Sequence, residues 1–228
     1  MHKRFGLIVG ALLLAGLLAA CGNATPSREV QQGDVLLRED FQEGAQWETG
    51  RYPADAEDPT AVLTVEDGRY RIDYRAEESP SLTWGLGGGA YENVIVEVTT
   101  EQLSAADDNL YGVGCRMVTD ENGDVSGYVL LISGDGHYGI AELSLRSLDF
   151  ILEWHQTDVI HQGQATNTLR AVCVDDYLAL YVNGEFLGEV KDNRYARAGQ
   201  IALVVGAAKD TAVSVAFDDL TVYEGALK

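Results

Sequence analysis

The sequence predicts an all-β protein, a sandwich of two antiparallel sheets. From about residue 35 onward the chain is a succession of short β-branched and aromatic runs divided by Gly, Asp and Asn. No amphipathic helix of convincing length interrupts them. The segment beyond the N-terminus holds roughly 200 residues, enough for one substantial β domain, and no break in composition argues for two.

The first strand is read at 35–41. Residues 61–65 and 69–74 form a hairpin around Asp67-Gly68, because Asp-Gly favours the positive backbone angles of a tight turn. Further strands follow at 81–85, 94–99, 111–118, 127–133, 138–144 and 150–154, then at 168–174, 178–182, 186–190, 199–206 and 212–223. Residues 102–107 read as either a short helical turn or a loop.

Ahead of this domain stand a basic tip, His2, Lys3 and Arg4, an apolar run over 5–17, and Leu18-Ala19-Ala20-Cys21. A charged start, an apolar stretch and small residues before a cut site are the layout of an export signal. The string resembles the lipobox of bacterial lipoproteins, with a large aliphatic residue, two small ones and the cysteine. The resemblance implies that 1–20 is a signal peptide, that the Cys21 thiol receives a diacylglyceryl group, and that the chain is cut before Cys21 and acylated there. The protein would then be exported and lipid-anchored to the bacterial cell envelope. The plain alternative is an ordinary signal peptide or a retained span, though the run is short of the roughly 20 residues that cross a hydrocarbon core. Residues 21–34, polar and carrying Pro26, read as a lipidated flexible tether, and 35–228 as the sandwich domain.

The formal charge is −20, and loss of Lys3 and Arg4 would make it more negative. Such a surface repels nucleic acid and anionic headgroups and favours cationic or neutral ligands. With Cys21 given to lipid, two of the three cysteines remain, Cys115 and Cys173, both in strand-like segments. An exported, oxidising setting predicts a disulfide between them; the alternative is two separately buried thiols.

The stretch Leu178-Ala179-Leu180-Tyr181-Val182-Asn183-Gly184-Glu185-Phe186, strand, Asn-Gly turn and strand, resembles the hairpin of concanavalin A-like lectin/glucanase and laminin G-like domains. Leu37-Arg38-Glu39-Asp40-Phe41 with Trp47, and Val215-Ala216-Phe217-Asp218-Asp219-Leu220-Thr221-Val222-Tyr223, resemble that family's opening and closing strands. The resemblance spans about 35–224 and implies a jelly roll whose first and last strands lie side by side. It also implies a structural calcium near Asp40 and Asp218 or Asp219, where the simpler reading is a solvated edge. No other cofactor is implied.

Glucanases of this fold carry a Glu-x-Asp-x-x-Glu or Glu-x-Asp-x-Glu string, and the chain has neither. Glu142 and Glu153 are lone acids. No G-x-S-x-G occurs, no paired Cys or His spacing suggests zinc, and His137, His155 and His161 read as loop histidines. Asp120-Glu121-Asn122-Gly123-Asp124 begins like a calcium loop but lacks the glycine and the closing acid, and reads better as a hairpin turn. For sugar recognition, which needs aromatic faces and polar side chains, the candidates are Arg116, Tyr128, Tyr138 and Trp154. Alternation opposite Cys115 sends Arg116 outward. The expected function is a membrane-anchored, non-catalytic binding module whose partner is a glycan. The alternatives are an adhesion or scaffold protein bound to an envelope protein, and a glycoside-processing enzyme.

Overall fold

A computed structural model describes residues 25–42, 45–77, 81–145, 147–208 and 211–228. The stretch read as an export signal, and Cys21 with it, lie outside the described residues. Fifteen strands follow in order, with no helix among the described residues: β1 (Val30–Glu39), β2 (Gly50–Tyr52), β3 (Ala61–Glu66), β4 (Arg69–Arg75), β5 (Ser81–Tyr91), β6 (Val94–Gln102), β7 (Asn109–Thr119), β8 (Val125–Ile132), β9 (His137–Ser144), β10 (Ser147–Gln156), β11 (Thr166–Val174), β12 (Tyr177–Val182), β13 (Glu185–Lys191), β14 (Gly199–Ala207) and β15 (Ala212–Leu227).

They form two antiparallel sheets. One has nine strands in the order β13-β12-β11-β6-β15-β4-β3-β2, with β1 also paired to β15; the other has six in the order β10-β9-β8-β7-β14-β5. The first and last strands do lie side by side, from Val30 opposite Leu227 to Glu39 opposite Leu220. Asp67 and Gly68 have φ of 52° and 72°, and Asn183 and Gly184 have 52° and 85°, the double left-handed turns that join two-residue hairpins.

Two boundaries differ from expectation. β1 begins at Val30, inside the stretch read as tether, because residues 30–32 find backbone partners in Gly225, Ala226 and Leu227. Arg28 continues the attachment by pairing with Asp176 at 3.3 Å, and the Ser27 N–H donates to Glu189 Oε2 at 2.9 Å. The strand β2 has only three residues, too few for a period of two to register. Residues 103–108 form a loop.

The core fills the space between the sheets, with Val113, Leu130 and Leu203 from one side and Val96, Leu180 and Phe217 from the other. At one end Phe41, Trp47 and Tyr70 form an aromatic knot with centroids 5.5–5.7 Å apart. The Tyr70 hydroxyl donates to the Glu48 carbonyl. A disulfide joins Cys115 of β7 to Cys173 of β11, so it crosses from one sheet to the other. A second apolar cluster lies on the opposite side of the six-stranded sheet. It is made by Leu110, Met117, Val129, Leu131, Ala141 and Val204 among others, with half-buried Trp84, Phe150 and Trp154 packed against it.

Candidate ligand-binding site

Along that second face, alternate positions are apolar or lack a side chain: Gly112 and Gly114 on β7, Val129 and Leu131 on β8, Ala202 and Val204 on β14. Polar side chains gather where the strands end. The start of β7, the β8–β9 turn, the end of β14 and the end of β10 enclose a cavity of about 410 Å³. It is lined among the described residues by Asp108, Asn109, Leu110, Ser133, Asp135, His137, Trp154, Ala207 and Ala208.

The β8–β9 turn is built to hold its shape. The Ser133 N–H donates to the His137 carbonyl at 2.8 Å and the Gly136 N–H to the Ser133 carbonyl at 3.1 Å. Gly136 takes φ of 89°, a left-handed angle that strains any other residue. Within the turn, Asp135 Oδ1 receives the Ser133 hydroxyl and sits 2.9 Å from His137 Nδ1. Burial alone would raise the Asp135 pKa, but these two hydrogen bonds and the histidine's charge outweigh it and hold the carboxyl below its ordinary range.

Asn109 fixes the turn from the other side. Its Oδ1 accepts the Gly134 N–H at 3.0 Å, while its Nδ2 donates to Gln102 Oε1 at 2.9 Å and to the Ala106 carbonyl at 2.7 Å. Trp154 forms the apolar wall and leans on Phe150 with centroids 5.0 Å apart at 46°. The cavity thus has an aromatic side chain in its lining beside hydrogen-bonding groups, the kinds of residue that recognise a ring with one apolar face and polar edges.

Of the four residues expected to bind sugar, only Trp154 lines this cavity. Arg116 corrects the expectation: it is 1% exposed and points inward. The ladder shifts between Cys115 and Val118, Arg116 has φ of 55°, and Met117 occupies the outer-face position that simple alternation gives to Arg116. Arg116 is therefore the extra residue of a β-bulge, which swings its side chain among loop carbonyls.

Tyr128 is fully buried. It pairs across the hairpin with Cys115, so it shares the core-facing side, and its hydroxyl donates to Asp192 Oδ1 and accepts the Tyr195 N–H at 3.1 Å. Burial, with help from Asp192, pushes its pKa up to about 12. Tyr138 also packs against the core, with its hydroxyl committed to the Leu187 carbonyl at 2.8 Å.

Glu142 is 8% exposed, accepts the Tyr195 hydroxyl at 2.7 Å and pairs with Arg194, while Glu153 is exposed. The 120–124 string is a hairpin turn, in which Asp120 Oδ1 accepts the N–H groups of Asn122 at 2.8 Å and Asp124 at 2.9 Å. Asp40 Oδ1 lies 3.4 Å from the Gln42 N–H, and Asp218 Oδ1 takes the Asp219 N–H at 2.7 Å. Among the described residues no group of three or more His, Cys, Asp or Glu side chains converges as a metal site requires.

The site residues absent from the sequence reading are Asp108, Asn109, Ser133 and Asp135, with His137 read only as a loop histidine. The signal that could have found them is the string Ser133-Gly134-Asp135-Gly136-His137, a glycine-broken turn dense in polar groups.

No protein-family model matches the sequence, and no curated protein is similar to it. Solved structures are similar in shape. A carbohydrate-binding module, CBM66, from Bacillus subtilis aligns at 13% identity over 79% of this chain and 96% of its own, with a TM-score of 0.57. A Bacillus subtilis protein of unknown function with a galectin-like fold reaches 0.63 at 10% identity, covering 88% of this chain and all of its own. A prokaryotic β-1,3-1,4-glucanase (lichenase) derived from a mouse hindgut metagenome reaches 0.58 at 11% identity, over 82% and 98% of the two chains. The fold is a concanavalin A-like jelly roll. At these identities the likeness establishes the jelly roll and leaves the activity to be argued from the site.

Proposed function

We propose that the protein is an extracytoplasmic module, held at the cell envelope by lipid on Cys21, that binds carbohydrate without cleaving it. The observation that carries this reading is the cavity at the strand ends, whose lining brings Trp154 together with Asn109, Ser133, Asp135 and His137. Similar folds named as a carbohydrate-binding module and as a glucanase support a glycan over other small ligands. The absence of both glucanase strings, Glu-x-Asp-x-x-Glu and Glu-x-Asp-x-Glu, from the sequence supports binding without hydrolysis.

The test is a glycan array followed by calorimetric titration of the hits. Trp154→Ala is expected to weaken binding at least tenfold, in line with roughly 1.5 kcal/mol or more for a lost stacking face. Release of new reducing ends from a bound glycan would refute the non-catalytic part. The anchor has its own test, since palmitate incorporation that persists in Cys21→Ala would remove it.

A further inference from the structure

The segment that leads in from Cys21 is fixed to one end of the sandwich. Val30, Gln31 and Gln32 pair with Leu227, Ala226 and Gly225. This two-stranded strap folds over the outer face of the nine-stranded sheet, where Val30 and Leu227 pack on an apolar cluster that includes Val172, Val174 and Tyr177. Arg28 then pairs with Asp176 in the turn between β11 and β12, and the Ser27 N–H donates to Glu189 of β13. The chain toward Cys21 therefore leaves the domain beside the β11–β12 turn.

The cavity stands at the other end of the same strands. Asn109, in its lining, opens β7; six residues further on, Cys115 is bonded to Cys173, one residue before β11 ends at Val174. At about 3.3 Å per residue, the two levels are about 20 Å apart along the strands. The cavity also belongs to the opposite sheet, since Leu110 and Trp154 in its lining lie on the outer face of the six-stranded one. Packed sheets are about 10 Å apart, so the way over the surface from the β11–β12 turn to the cavity is about 30 Å or more. Cys21 is six residues from Ser27, and whatever their conformation these reach no further than about 22 Å. The geometry points to a fixed presentation: with lipid on Cys21, the Arg28–Asp176 end stays toward the bilayer and the short lead-in keeps the cavity turned away from it. A glycan standing off the membrane, soluble or borne on a wall, reaches the cavity, and a sugar headgroup of the anchoring bilayer does not. The inference rests on the readings of Cys21 as the anchor and of the cavity as the ligand site.

The experiment measures energy transfer from the acylated full chain to a headgroup-labelled acceptor lipid in vesicles. The donor dye is placed on Ala105→Cys, beside the cavity, or on Ala226→Cys, in the strap; both positions are exposed, and the disulfide keeps Cys115 and Cys173 from the label. Each labelled protein is first checked for an unfolding midpoint unchanged from wild type. The expected result is transfer roughly twofold or more greater from position 226 than from position 105. Insertion of about 20 Gly and Ser residues after Ala24, which adds a coil of about 25 Å, is expected to bring that ratio toward one. Equal transfer from the two positions in the chain without the insertion, or greater transfer from position 105, overturns the inference and leaves the anchor standing. A ratio that the insertion does not move overturns it as well, because the length of the lead-in then does not set the presentation. Failure to take up palmitate, or vesicle retention that persists in Cys21→Ala, brings down the anchor reading itself, and this inference with it.

Discussion

Replacing Arg116 with methionine is expected to destabilise the protein by about 4 kcal/mol. The guanidinium holds three segments together. Its Nε donates to the Glu92 carbonyl at 2.8 Å, Nη1 to the carbonyls of Asp175 at 2.8 Å and Tyr195 at 3.2 Å, and Nη2 to Asn93 Oδ1 at 3.1 Å. Burial pushes its pKa down, but arginine starts so high that it stays charged. Each hydrogen bond to a charged group contributes about 1.5–3 kcal/mol, which for four acceptors comes to about 6 kcal/mol at the low end. Methionine recovers about 2 kcal/mol through apolar burial, and the left-handed backbone strain at this position is present in both side chains.

The assay is urea unfolding of the oxidised protein followed by tryptophan fluorescence. With a slope of about 2 kcal/mol per molar urea, the midpoint should fall by about 2 M. Arg116→Lys should lose nearly as much, because one ammonium cannot reach acceptors spread around a planar fork. A midpoint within about 0.5 M of wild type, at unchanged slope, would refute the claim that Arg116 ties these turns together.

Removing the disulfide as Cys115→Ala with Cys173→Ala should cost about 4 kcal/mol, the loop entropy for a separation of 58 residues, read as a lower urea midpoint that no longer responds to reductant. Alkaline unfolding should set in between pH 10 and about 12. Burial raises Tyr111 and Tyr128 to about 12, so the neutral hydroxyl is favoured in the fold, and that contribution is complete below pH 10 and lost as pH climbs through the folded values. Absorbance at 295 nm should accordingly show these tyrosines ionising only with the unfolding transition. Gly85→Ala should destabilise by about 3 kcal/mol in the same urea assay, because a Cβ there falls 1.7 Å from Tyr70 Oη, and Tyr70 is locked between Phe41 and Trp47.

The sheet architecture is legible in the sequence wherever local chemistry alone decides the backbone. Asp67-Gly68 and Asn183-Gly184 announce their turns, and β-branched runs announce the strands between them. Cys115 and Cys173 are legible as a pair from cysteine count alone, since two remain once Cys21 is set aside and an exported chain meets an oxidising setting, and the bond between them bears this out. What depends on pairing between distant strands is not legible. Nothing in residues 30–32 says that 225–227 will receive them. The inward turn of Tyr128 follows from its register opposite Cys115, a relation between two strands. Arg116 is misread for a sharper reason: a single extra residue in β7 reverses the parity of every position after it, and a bulge has no reliable local signature.

That reversal also explains where function can sit. Had β7 run without a bulge, Arg116 would occupy the outer face and place a charge among Val129, Leu131 and Ala202, giving that face a polar centre. With the bulge, Met117 stands there instead and the face stays apolar from edge to edge. Polar groups can then reach a ligand only where strands give way to turns, as Asp135 and His137 do at the β8–β9 turn and Asn109 at the start of β7. Side chains in a turn can change without disturbing the ladder so long as the devices that hold its backbone, such as Gly136 here, are kept. A site built from them can therefore differ entirely between proteins that share this jelly roll at 8–13% identity, and the ligand has to be sought in the chemistry of the 133–137 turn, beyond the reach of fold-level likeness.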